Sequence, residues 1–173
     1  MKKLFLLPAL FIILLSNIFS VGCYSFRETS PLPDSVKTVN IHLLDNRAPY
    51  LNTQLAPSLT ERLKQKIISQ TKLRQTNDDN AHLDITGFIS DYSASTVGIT
   101  SVNGKSQSSA NRLNVSVHIV MLNTLDNSTK EFDVSRQMDF PATKTLQEAE
   151  ASLLGEMVRN LTDEIFNRIF SDW

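Results

Sequence analysis

"RLNVSVHIVML", residues 112–122, sets Leu113, Val115, Val117, Ile119 and Met121 in alternation with Asn114, Ser116 and His118. Successive side chains on a strand point to opposite faces. The stretch is therefore a strand with one apolar and one polar side. A sheet of such strands needs cover on a single face, which antiparallel sheets tolerate.

The same alternation recurs on both sides. "EFDVSRQMDF", 131–140, places Phe132, Val134, Met138 and Phe140 on one parity with only Arg136 interrupting, after a turn in "NTLDNSTK". Upstream, Leu83, Ile85 and Ile89 predict a strand over 81–95, with Gly87 in the same register, where a bulge or a close approach is expected. An extension through "TVGIT" would end at Asn103-Gly104, a strong hairpin signal because both residues tolerate positive φ. The first strand lies in "VKTVNIHLL", 36–44, where Val39, Ile41 and Leu43 alternate with Thr38, Asn40 and His42.

Two stretches change to helical spacing. Leu55, Leu59, Leu63 and Ile67 predict a helix starting between Thr53 and Ser58 and running to about Lys72, with Ser58 and Glu61 spaced as a capping box. Leu146, Leu153, Met157, Leu161, Ile165 and Ile169 stripe a second, long helix. The predicted fold is α+β, a two-layer α/β sandwich: a four-stranded, mainly antiparallel sheet packed on two helices in the order β-α-β-β-β-α.

Ahead of this domain, Lys2 and Lys3 precede an apolar run from Leu4 to Phe19, and Ser20, Val21 and Gly22 lead to Cys23, the only cysteine. That order of parts is an export signal. The run is short of the roughly 20 residues a spanning helix requires. "SVGC" resembles the lipobox of bacterial lipoproteins, with Ser20 where the commonest pattern has leucine, as in the looser boxes of Bacteroidetes. The resemblance implies that Cys23 is acylated and becomes the first mature residue. The expected organisation is a lipoprotein signal peptide over 1–22, a lipidated tether over 23–35 and a single domain over 36–173.

Loss of 1–22 takes Lys2 and Lys3 with it and leaves 151 residues, with 15 basic side chains against 18 acidic ones. Nucleic-acid binders cluster Lys and Arg on one face, and no such stripe is expected here, so no nucleic-acid partner. The histidines, His42, His82 and His118, are far apart and read as solvated strand residues rather than metal ligands. Asp78, Asp79 and Asp84 read as turn acids. The N-x-S/T matches at Asn114, Asn127 and Asn160 are taken as chance in a bacterial chain. No phosphate-cradling glycine loop and no nucleophile elbow occurs. The chain is expected to be no enzyme and to hold no cofactor and no metal.

"STVGITSVNGKSQSSANR", 95–112, carries only Lys105 and Arg112 as charges. It is either a mobile turn at a hairpin tip or a probe that enters a confined polar lumen or meets an anionic head group. In the second case Lys105 and Arg112, with Lys130 and Arg136 further along, are the candidate donors to phosphate.

"GCYSF" at 22–26, "VKTVNIHLLDN" at 36–46, "LAPSLTERLKQKI" at 55–67, "LDITGFISDY" at 83–92, "RLNVSVHIV" at 112–120 and "LTDEIFNRIFSDW" at 161–173 together resemble the LPS-assembly lipoprotein family, LptE, in its Bacteroidetes form. The resemblance implies an outer-membrane lipoprotein, anchored on the periplasmic side, that plugs and helps assemble the LptD β-barrel and assists lipopolysaccharide transport to the surface. It implies no reaction. The alternatives are a generic periplasm-facing lipoprotein that binds another envelope protein or peptidoglycan, and a lipid-anchored hydrolase.

Overall fold

The computed structural model describes residues 32–102 and 105–170, and side chains for all of these except 99–109. The elements are β1 (Thr38–Ile41), β2 (Asp45–Asn46), α1 (Leu55–Gln70), β3 (Arg74–Gln75), β4 (Leu83–Val102), β5 (Lys105–Asn123), β6 (Ser128–Pro141) and α2 (Leu146–Phe170). They form one sheet in the order β3-β1-β4-β5-β6, with β2 also on β4. Both helices pack on one side.

The mixed α+β class and the two helices agree with the sequence reading, but the strand count and pairing do not. The sheet has six strands and is mixed: β1 is parallel to β3 and β4, β2 is parallel to β4, and only β4-β5-β6 is an antiparallel meander. The two missed strands, β2 and β3, are two residues long, too short to display a period of two. Backbone bonds define them instead: Arg47 N–H donates to Ile89 O at 3.0 Å, and Arg74 N–H to Lys37 O at 2.9 Å.

The extension through "TVGIT" is present: the described part of 95–112 is ladder rather than a loose tip, with Ser95 opposite Arg112, Val97 opposite Ala110 and Val102 opposite Lys105. A ladder held by backbone bonds needs no apolar alternation, so small polar residues conceal it. The expected turn, Asn103-Gly104, lies outside the described residues. Gly98 takes φ 76°, a conformation open to glycine at no steric cost.

Gly87 marks a close approach, not a bulge: a Cβ there would sit 2.4 Å from the His118 carbonyl oxygen. The bulge falls three residues later, between Ile89 and Asp91. An extra residue reverses the facing of everything after it. Ile89 and Tyr92 both point to the covered side and are buried, and Asp91 turns to the open side.

α1 places Leu55, Leu59, Leu63 and Ile67 wholly out of solvent, roughly 1.5–3 kcal/mol each when fully buried. Its cap is not the Ser58–Glu61 box. The helix begins at Leu55, so Ser58 is already inside it, and Asn52 Oδ1 accepts from the Gln54 and Leu55 amides at 3.0 and 3.1 Å. The buried Asn52 also donates through Nδ2 to the Tyr92 hydroxyl at 3.4 Å. An Asn52→Ala variant should lose about 1 kcal/mol of stability, the usual worth of such a cap, read as a lower urea midpoint.

The capping box that does form is at α2. Thr145 N–H and Oγ1–H donate to Glu148 Oε2 at 2.8 and 2.9 Å, and the Glu148 amide donates back to Thr145 Oγ1 at 3.3 Å. These bonds hold the Glu148 carboxyl below its ordinary range, the Thr145 backbone amide being the largest cause. α2 buries Met157, Leu161, Ile165 and Ile169 on the predicted stripe, with Leu146 and Leu153 at its margin. The helices are joined by Lys66 Nζ donating to Asp163 Oδ1 at 2.7 Å.

Candidate functional site

The side of the sheet away from the helices has no covering element among the described residues. Register places Asp84, Thr86 and Phe88 of β4 beside Leu122, Val120 and His118 of β5; beyond the bulge, Asp91 and Ser93 stand beside Ser116 and Asn114. On β6 the same face carries Glu131, Asp133, Ser135, Gln137 and Asp139.

Hydrogen bonds cross-link these rows. Arg112 Nε donates to Asp139 Oδ1 at 2.6 Å and Nη2 to Oδ2 at 2.9 Å, a fork-to-fork pair. Asn114 Nδ2 donates to Asp91 Oδ2 at 2.5 Å. His118 Nδ1 lies 2.9 Å from Asp133 Oδ1, and His42 Nε2 lies 2.7 Å from Asp84 Oδ1. Arg47 stands 4.1 Å above the Phe88 ring, which tilts against His118. The pairing with Arg112 holds the Asp139 carboxyl below its ordinary range and raises the guanidinium.

The result is acidic. Asp84, Asp91, Glu131, Asp133 and Asp139 share the face of β4, β5 and β6 with Arg112, and Arg47 reaches over Phe88. Arg74 is opposite Thr38 at the far edge. Glu131 and Asp133 are the most open, at 60 % and 71 %. The sequence reading missed this grouping. Four of the five acids lie on the polar parity of their strands, a legible signal. Asp91 lies on the apolar parity until the bulge moves it.

The candidate phosphate donors are not brought together. Arg112 is on the open face, held by Asp139. Arg136 is on the opposite, helix-covered face beside Val134 and pairs with Glu164 of α2. Lys130 is on that same side, opposite Met121 and about 20 Å along the strand from Arg136. The side chain of Lys105 and all of Cys23 lie outside the described residues.

The histidines have partners. His82 is not a strand residue: it precedes β4 and its Nδ1 accepts from the Lys37 and Thr38 amides at 3.1 and 3.2 Å. Among the described residues no three His, Cys, Asp or Glu side chains are grouped to hold a metal, and no described helix is long and apolar enough to cross a membrane. Asp78 caps its own turn, accepting from the Asn80 amide at 2.9 Å.

A family model, LptE, described as lipopolysaccharide-assembly, matches residues 36–169. The chain belongs to the LptE family. The LptE match starts ahead of β1 and stops one residue short of the end of α2, so it takes in every element, the acidic face included. Among solved structures, a neuraminyllactose-binding hemagglutinin homolog from Helicobacter pylori is similar at TM-score 0.53 and 8% identity, covering 78% of this chain and 83% of that one. The Chlamydia trachomatis protein CT253 is similar at 0.51 and 12%, covering 77% and 95%. The rare lipoprotein B of Shewanella oneidensis is similar at 0.48 and 15%, covering 77% and 93%. At these identities the likeness of the first two is one of fold. No curated protein sequence matches.

Proposed function

We propose that this LptE-family chain is an outer-membrane lipoprotein, held by acyl chains on Cys23, that plugs and helps assemble an LptD-type β-barrel and assists lipopolysaccharide transport. The family match over 36–169 carries the reading. The shape supports it. One face of the sheet is polar, as suits a wet lumen, and β4 and β5 run past the end of β6 as a two-stranded ribbon, because β6 stops opposite Ala110. That ribbon extends about 17 Å beyond β6. The protein performs no chemistry in this reading.

Detergent-solubilised outer membranes should yield the acylated chain bound to a large barrel; recovery as a lone monomer overturns the plug. Of the donors proposed for lipopolysaccharide, Lys105 is on the ribbon, beyond the acidic face, whereas the fork of Arg112 is taken by Asp139. Lys105→Glu should reduce binding to immobilised lipopolysaccharide by roughly tenfold or more, about what one charge-assisted contact is worth. Unchanged binding removes the ribbon from the lipid's path.

A second reading, a lipoprotein that binds another envelope protein or peptidoglycan, is favoured by one observation: the Helicobacter and Chlamydia proteins share this fold at 8% and 12% identity. Depletion separates the two. Surface lipopolysaccharide and barrel abundance both fall in the first and neither changes in the second.

A further inference from the structure

We infer that the open face of β4, β5 and β6 is a docking surface for a protein segment carrying arginine or lysine side chains, and that it excludes lipopolysaccharide. Among the described side chains, the face sets Asp84, Asp91, Glu131, Asp133 and Asp139 around one sheet-borne cation, Arg112, whose fork is filled by Asp139. Among the described residues Asp91 bonds to no cation: its bonds are from Ser93 Oγ and Asn114 Nδ2. Phosphate approaching such a surface meets like charge, and a guanidinium or ammonium meets a complementary one.

The carboxylates are also positioned rather than loose. Asp84, Asp91 and Asp133 are each oriented by a neighbouring strand or its flank, through His42, Asn114 and His118. A bound chain therefore meets acceptors already held in place. Phe88, Val120 and Leu122 form an apolar strip on one half of the same face, to which Arg47 already contributes a cation–π contact at 4.1 Å. An arginine from a partner fits both parts, since its plane stacks on rings and its fork grips carboxylates.

From Asp84 to Ser95 the face runs about 36 Å along β4, a length that suits an extended segment lying along the strands. The inference does not depend on the barrel reading, because the partner is identified by its charge and not by its fold.

The test uses the full chain in its own membranes, with Thr129→p-benzoylphenylalanine or Gln137→p-benzoylphenylalanine, both exposed on this face. Irradiation should attach a peptide of another protein bearing at least two Lys or Arg near the crosslink. Adding Glu131→Gln with Asp133→Asn should lower the yield about threefold or more, and so should high salt, as expected for exposed charge pairs. The same charge change on the helix side, Glu61→Gln with Glu156→Gln, should leave it unchanged. Crosslinks to lipopolysaccharide, to a second copy of this chain or to a peptide without Lys or Arg overturn the inference, as does no adduct. A basic peptide from a protein other than a barrel would uphold it while removing the plug.

Discussion

Gly87→Ala should cost about 3 kcal/mol of stability, the upper end of what an extra methyl costs in a packed core. The added Cβ would lie 2.4 Å from the His118 carbonyl oxygen, 3.0 Å from Ile119 Cδ1 and 3.1 Å from Leu44 Cδ2. The two side chains can rotate away, but the carbonyl cannot. His118 lies mid-ladder in β5, between β4 and β6, and both strands fix its backbone. Moving it would disturb the central pairing of the sheet. Set against a total of about 5–15 kcal/mol for a domain, the loss is large, and a urea midpoint within error of the parent would refute the close approach. Gly155→Ala gives the opposite sign. Nothing lies within 4 Å of a Cβ there, the site is on the exposed side of α2, and the change should stabilise by about 0.5–1 kcal/mol through helix propensity alone.

The contrast between these two glycines shows what was legible in the sequence and what was not. Period-two runs in β5 and β6 and the leucine stripes of α1 and α2 are signals of burial on one face, and each led to the right element and to most of its buried residues, with Phe132, Met138, Leu146 and Leu153 only partly covered. What failed was structure defined by the backbone. β2 and β3 are two-residue bridges fixed by amides, whereas the outer parts of β4 and β5, which have no apolar face to report, were legible only through the Asn103-Gly104 turn signal. The α1 cap was assigned to Ser58 on spacing, although Asn52 fills it. The T-x-x-E of Thr145 and Glu148, which does form, matches the same rule. Tertiary position selected between two equal motifs.

The candidate site was lost for a related reason. Arg112, Lys130 and Arg136 were grouped by closeness along the chain, but residue parity on a strand decides the face, and Arg136 shares its parity with Val134. It is therefore on the helix side, exposed and paired with Glu164 of α2, rather than on the open face with Arg112. The acids are gathered by the register of three strands, and one of them by a bulge at Ser90 that hydropathy does not mark.

Cys23→Ser should remove the chain from the outer-membrane fraction almost completely. In the proposed anchor the sulfur carries acyl chains worth about 0.8 kcal/mol per buried methylene, and a single short chain gives only marginal binding, so two or three are needed for a stable hold. Serine offers no thiol to alkylate, and the export signal would stay uncleaved or the chain would be mislocalised. The structure also shortens the leash. Leu32 already packs against the core and the Val36 amide bonds to Pro33 O at 2.9 Å, so eight residues, 24–31, remain to span from the anchor, at most about 28 Å when extended. The body must then work against the membrane surface, with its acidic face and its ribbon within reach of whatever stands there. Intact mass of the native N-terminus separates anchoring from capture by a partner: an unmodified thiol at Cys23 in protein that still sediments with the outer membrane would mean that protein contacts, not fatty chains, hold it in place.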